Sequence, residues 1–168
     1  MSSSLMHYSP EDVNVLFGGV SRLSGFVDGT FVRIAKSSPM YSTRESADGN
    51  VTRVHKNSQM YDVYITLAST SESNQILTYA ARLDELTQMA KFPLLIKDTL
   101  GSTMFFSMTS WIEEMPDSSF STNVESREWK IKCSQAVFNV GGNEGPSSAV
   151  TDILNGVAGL APGLGRLI

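Results

Sequence analysis

Hydrophobic and polar positions alternate along most of the chain, and the alternation predicts strands. In 12–18 Val13, Val15 and Phe17 share one face, and the pair Gly18-Gly19 closes the run. Residues 20–36 read as two short strands about Asp28-Gly29, a dipeptide suited to a tight hairpin turn. The stretch 37–57 breaks the pattern: Pro39, Asp48-Gly49 and scattered charges surround a short "VTRVH" strand, so it reads as a long polar excursion from the sheet. Alternation returns in "QMYDVYITLA", with Tyr61, Val63, Ile65 and Leu67 on one face and Asp62, Tyr64 and Thr66 on the other, the signature of a half-buried antiparallel strand.

One segment changes period. Ser69 with Glu72 three residues later matches a capping box. Ile76, Ala80, Leu83 and Met89 or Ala90 then recur at helical spacing, which predicts a helix over 71–90 with those residues toward the core. Phe92-Pro93 ends it. A hairpin is expected next, turning near Leu100-Gly101, with Met104, Phe106, Met108 and Ile112 facing the core. Phe105 and Trp111 then lie on a second face too apolar for open water, where they would meet the helix or another subunit. The last strand, 127–140, puts Trp129, Ile131, Cys133 and Val137 on one side and Lys130, Lys132 and Ser134 on the other. After a Gly-rich link, 149–160 has the spacing of a short amphipathic helix. The expected organisation is a β domain over 1–143 followed by a link and tail, 144–168.

The remaining sequence narrows the chemistry mainly by exclusion. A 168-residue chain with 41% hydrophobic and 18% charged residues suits one soluble domain, and a net charge of −4 does not suit a nucleic-acid clamp. The single cysteine, Cys133, sits at a strand position that favours a buried thiol. His7 and His55 are far apart and neither neighbours a nucleophile signature. Glu113 and Glu114 are adjacent on a strand and point to opposite faces, which separates them as paired acids. No metal-ligand spacing and no phosphate-binding glycine motif is found, so neither catalysis nor a cofactor is expected. No apolar run has membrane-span length. What is left is a β-rich domain with one helix, a long polar excursion and sheet edges whose N–H and C=O groups need partners. Joining edges subunit to subunit in a ring satisfies all of them.

The stretches "YSPEDVNVLFGG", "GFVDGTFVRIAK", "ESADGNVTRVHK", "ITLASTSESNQIL", "FPLLIKDTLGSTMFFSMTSWIEEMP" and "REWKIKCSQAVFNVGGN" together resemble the tail tube proteins of contractile-tailed bacteriophages, whose fold is related to tube proteins of bacterial contractile injection machines. The resemblance implies a mainly β fold, a sandwich or barrel of antiparallel strands with one flanking α-helix, assembled through its sheets into a ring. It further implies hexameric rings stacked into a hollow tube that conducts DNA, in a virion tail assembled in the host cytoplasm. The partners implied are further copies of the chain, the sheath, a baseplate hub or initiator, and the tape measure and tail terminator proteins. DNA would pass without specific binding, and no membrane is involved. On this reading Asp48, Gly49 and Asn50 in the excursion, Phe105, Trp111, and Ile153 and Leu154 in the tail contact neighbouring subunits, and Asp62 faces the lumen. A tube of a secretion machine and a sugar-binding β-sandwich of the virion are the competing readings.

Overall fold

The computed structural model describes residues 8–142. A 3-10 turn, Pro10–Asp12, leads into β1 (Val13–Phe17), followed by β2 (Ser21–Arg22), β3 (Val32–Lys36), β4 (Tyr41–Glu45), β5 (Val51–His55) and β6 (Tyr61–Ala68). The helix α1 (Ser73–Thr87) comes next, then β7 (Phe92–Asp98), β8 (Met104–Glu114), β9 (Ser126–Ser134) and β10 (Val137–Asn139). One antiparallel sheet runs in the order β2-β1-β7-β8-β9-β6-β3, with β10 continuing β9 along the first half of β8. β4 and β5 form a separate two-stranded hairpin. The fold is mainly β with a single helix among the described residues, as the sequence pattern predicts.

The core forms where alternation puts branched and aromatic side chains on one face of the longer strands of the main sheet. Val15 and Phe17 of β1, Leu94 and Ile96 of β7, Phe105 of β8, Trp129, Ile131 and Cys133 of β9, and Val63, Ile65 and Leu67 of β6 belong to one buried cluster. Val32 and Ile34 of β3, at the far edge of the sheet, pack against the same cluster, so the sheet curls around its apolar face. Segment 23–31 and α1 close the open side. Leu23 and Leu77 are both fully buried, and segment 23–31 is tied to β6 by hydrogen bonds from Ala68 N to Gly25 O and from Thr66 N to Phe31 O, both 2.8 Å.

The start of α1 is fixed by side chains rather than by the expected capping box. Ser69 N is bonded to Glu125 O, and Glu72, the N-cap, makes no side-chain cap bond. Ser71 does the work instead: its hydroxyl donates to Ser24 O (2.6 Å) and accepts from Ser73 N (3.2 Å), while Ser73 Oγ accepts from Ser24 N (2.9 Å). Behind them Asn74 donates to Ala68 O and Ser71 O and accepts 2.9 Å from the indole N–H of Trp129, which is buried in the sheet. Gly25 passes so close that a Cβ there would lie 2.6 Å from the Ser71 side chain, and its φ of +75° disfavours any other residue. The helix therefore enters the core at a set depth and rotation. It buries Leu77, Ala80 and Ala81, one position round from the expected stripe, and leaves Ile76, Leu83 and Met89 exposed.

Two further expectations are corrected. Asp28-Gly29 does not close a hairpin between adjacent strands: β2 pairs with β1 and β3 pairs with β6, so the turn lies within segment 23–31. In β8 the expected inward set is inverted over its first half. Phe105 and Ser107 point into the core and Met104 and Met108 are exposed, yet Ile112 packs inward as expected. The cause is a bulge: Phe92 and Leu94 of β7 pair with Ser110 and Ser107, so β8 carries one extra residue there and its alternation changes phase. The buried serines complete the hydrogen bonding that the bulge disrupts. Ser107 Oγ donates to Ser134 O (2.9 Å) and accepts from Thr109 N (3.2 Å), and Ser110 Oγ donates to Phe92 O.

Asn74→Ala removes the acceptor of the Trp129 indole N–H and two bonds to carbonyl oxygens in one step. A loss of about 2–3 kcal/mol of unfolding free energy is expected, measured by urea denaturation, and Asn74→Asp should recover part of it through the retained acceptor.

Candidate assembly surfaces

Three surfaces of the described chain are shaped for contact rather than for chemistry. The first is the β4–β5 hairpin. Its strands pair in regular register from Tyr41 with His55 to Glu45 with Val51, and almost every residue in it is exposed, Val51 and Val54 included. At its tip Ser46 N donates to Asn50 O and Gly49 N to Ser46 O, both 2.9 Å, with Gly49 at φ +77°. Asp48, Gly49 and Asn50 thus form the outermost turn. The backbone bond from Lys56 N to Met40 O closes the hairpin's base, and that from Ser37 N to Met60 O extends the β3–β6 pairing beneath it. Within it Arg53 lies 4.4 Å over the Tyr41 ring, which also packs on His55. A two-stranded hairpin with no core of its own is marginal in water, so its apolar side chains favour a partner.

The second surface is the β3 edge of the main sheet. β3 pairs with β6 on one side, and the other side of its five residues has no strand partner among the described residues. A groove lined by Val13, Phe31, Val32, Ile34 and Ile96 runs beside that edge, with a volume of about 370 Å³. The edge carries Arg33 and Lys36, charges that discourage indiscriminate strand pairing.

The third is the polar face of β3, β6, β9 and the second half of β8, which looks away from the core. Both of its lysines are paired with carboxylates. Asp62 sits opposite Lys132 and holds its ammonium at 3.0 Å while accepting 2.9 Å from Ser37 Oγ, with only 15% of the Asp62 side chain exposed. Glu114 pairs with Lys130 at 3.1 Å, and Arg33 stacks 3.9 Å over the Tyr64 ring. Partial burial pushes the Asp62 carboxyl up, but the hydrogen bonds from Lys132 and Ser37 and the charges of Lys132 and Lys130 outweigh it and hold the group below its ordinary 3.8. Burial, with a smaller contribution from the Asp62 charge, pushes the Cys133 thiol behind this face up to about 12. No group of three or more metal-ligating side chains occurs among the described residues.

The residues expected at interfaces are therefore scattered. Asp48, Gly49 and Asn50 are exposed together at the hairpin tip. Phe105 belongs instead to the subunit's own core, stacked edge-on against Tyr61 and Phe138, because the bulge turns it inward. Trp111 lies half-buried on the polar face beside Lys132 and donates 3.1 Å to Glu113. Asp62 lies on the same face. Ile153 and Leu154 fall outside the described residues. Sequence reasoning missed the outward apolar side of α1, because it assigned Ile76, Leu83 and Met89 to the core.

A curled antiparallel sheet with one flanking helix, a projecting hairpin and a free edge defines a subunit fold related to those of tail tubes. Its likeness to solved structures agrees. A chain of the sheath/tube terminator of the extracellular contractile injection system PVC matches with a TM-score of 0.54 at 12% identity, over 82% of this chain and all of that one. A chain of the anti-feeding prophage tube-terminating cap gives 0.52 at 10%, over 83% and 95%. A chain of the native gene transfer agent virion gives 0.52 at 10%, over 80% and 100%. No family model matches. In sequence the chain is 30% identical over 161 residues to structural protein ORF10 of Pseudomonas phage KPP10, covering 92% of this chain and 93% of that protein. The chain belongs to this family of phage structural proteins.

Asp62→Asn should lower stability at pH 7 by about 1 kcal/mol, because it breaks a partly screened ion pair. A carboxyl with a depressed folded value contributes stability above its unfolded value and loses it as pH falls through the folded one. The two proteins should therefore converge in urea denaturation as pH falls below the carboxyl's ordinary 3.8 and on through its depressed folded value. In native protein at pH 8 Cys133 should not react with Ellman's reagent, and it should react fully once urea unfolds the chain.

Proposed function

We propose that this phage structural protein is the subunit of the inner tail tube, forming hexameric rings that stack into a conduit for DNA. The observation that carries the reading is the β4–β5 hairpin, a regular, exposed element with apolar side chains and no core beneath it. In a stacked tube its tip, Asp48 to Asn50, reaches a neighbouring subunit or ring. The free edge of β3 joins the next subunit's sheet, and the polar face becomes the lumen wall. α1 then looks outward, toward a contractile sheath. Trp111 borders the subunit contact, and the chain's further partners are the tape measure, a baseplate hub or initiator, and the terminator.

The charge pattern of the polar face supports this role. A lumen must let phosphates pass without holding them, and free lysines would bind them and retard transit. Here Lys132 and Lys130 are each engaged by a carboxylate of the same subunit. A terminator ring is the second reading, favoured by the likeness to terminator chains. The two differ in whether rings stack.

Negative-stain electron microscopy of the concentrated protein should show hollow six-fold rings stacked into tubes, whereas single rings that never stack would favour the terminator. The double variant Val51→Asp/Val54→Asp changes only exposed hairpin positions. It should keep the wild-type circular dichroism and reduce the mass sedimenting as tubes about tenfold. Undiminished assembly would remove the hairpin from the interface.

A further inference from the structure

The hairpin and the start of the helix lie at opposite ends of the subunit. β3 runs up to Lys36, which pairs with Tyr61, the first residue of β6, so the β4–β5 hairpin leaves the main sheet at the Tyr61 end of that strand. At the other end Ala68 closes β6, Ser69 begins the turn into α1, and Arg127 of β9 pairs with Leu67. The eight residues of β6 put about 26 Å between the two ends. Copies stacked head to tail in one direction therefore bring the hairpin of one to the helix start of the next.

At the helix end lies a polar cleft of about 490 Å³, lined by Ser69, Thr78 and Tyr79 and by two arginines, Arg82 and Arg127. Glu72 also lines it, yet neither guanidinium forms an ion pair among the described residues. Arg127 is half-buried, and its Nε–H is shielded from solvent without a hydrogen-bond partner. A buried donor on a charged group is costly without an acceptor, and a guanidinium is shaped to take both oxygens of a carboxylate. The helix amides are already spent, with Asn74 N donating to Ser71 O and Gln75 N to Glu72 O, so the cleft owes its positive character to the arginine side chains. The hairpin tip is its complement: residues 45–50 carry Glu45 and Asp48 and no base, and neither acid is ion-paired among the described residues.

We propose that the Asp48 carboxylate at the hairpin tip of one copy docks between Arg82 and Arg127 of the next copy. The contact rests on the stacking of subunits proposed above, and it gives the stack a direction, since tip and cleft meet only when successive copies point the same way. It also supplies the acceptor that the Arg127 Nε–H lacks within its own subunit.

Charge exchange in the full-length chain tests the contact. Asp48→Arg changes an exposed turn residue and Arg82→Asp an exposed helix residue, so both variants should keep the wild-type circular dichroism. Each alone should lower the mass sedimenting as stacked rings about tenfold, and Asp48→Arg/Arg82→Asp should return it to within about threefold of wild type. Undiminished stacking in Asp48→Arg, or a double variant no better than the single ones, overturns the contact and leaves the tube reading standing. If the wild type forms no tubes, Asp48→Cys/Gln75→Cys decides, with the buried Cys133 taking no part. Series of copies joined by disulfides on mild oxidation then uphold the contact without the tube, and monomer alone overturns both.

Discussion

The buried hydrogen bond between the Trp129 indole and Asn74 is the constraint on which the arrangement of this subunit depends. Trp129 is the largest fully buried side chain of the sheet, and an indole N–H in a core must find an acceptor. Asn74 supplies one and spends its own amide on the carbonyls that end β6 and precede the helix. One side chain thereby couples helix start, strand end and sheet centre. The serines about Gly25 then lock segment 23–31 to the same point, so the lid of the core and the helix cannot move independently.

That anchoring also explains where the sequence was legible and where it was not. The strands with a continuous apolar face, β1, β6 and β9, read directly because period-two alternation is a statement about burial, and their burial is real. The helix read correctly as an element, but its rotation did not. Ile76 and Leu83 are as apolar as Leu77, and the bonds of Ser71, Ser73 and Asn74 at the helix start, Trp129 included, set which side turns inward. β8 was misread for a different reason: a bulge shifts alternation by one residue, and no residue in "FFSMTS" advertises it except, in hindsight, the serines that satisfy it. β4 carried no signal because neither of its faces is buried. Asp48-Gly49 was recognisable as a turn from composition alone. The turn at Asp28-Gly29 was equally recognisable, yet local chemistry could not say that its flanking strands pair elsewhere.

The same logic separates the interior of this protein from its contacts. Interior positions are marked by periodicity, whereas the candidate assembly surfaces are marked by its failure: a strand pair without a core, a helix apolar on two sides, a polar face whose lysines are matched by carboxylates in place. Lys132 and Lys130 illustrate the last point. Counted in the sequence they are basic residues, while in the fold each is matched by a carboxylate, so the face as a whole offers little to a phosphate backbone.

The free edge of β3 has a consequence for how such a subunit is handled before it is used. An unpaired strand flanked by an apolar groove is an adhesive, and Arg33 and Lys36 moderate it. On the proposed reading, two lone subunits meeting in solution must order a hairpin and match one edge, gaining little for the entropy lost. A subunit arriving at an existing rim finds edge and hairpin contacts ready at once. Growth is then fast where a template exists and slow where none does. Length and number of the assemblies would be governed by nucleation, and the pool of free subunits could stay soluble at concentrations at which the finished polymer is stable.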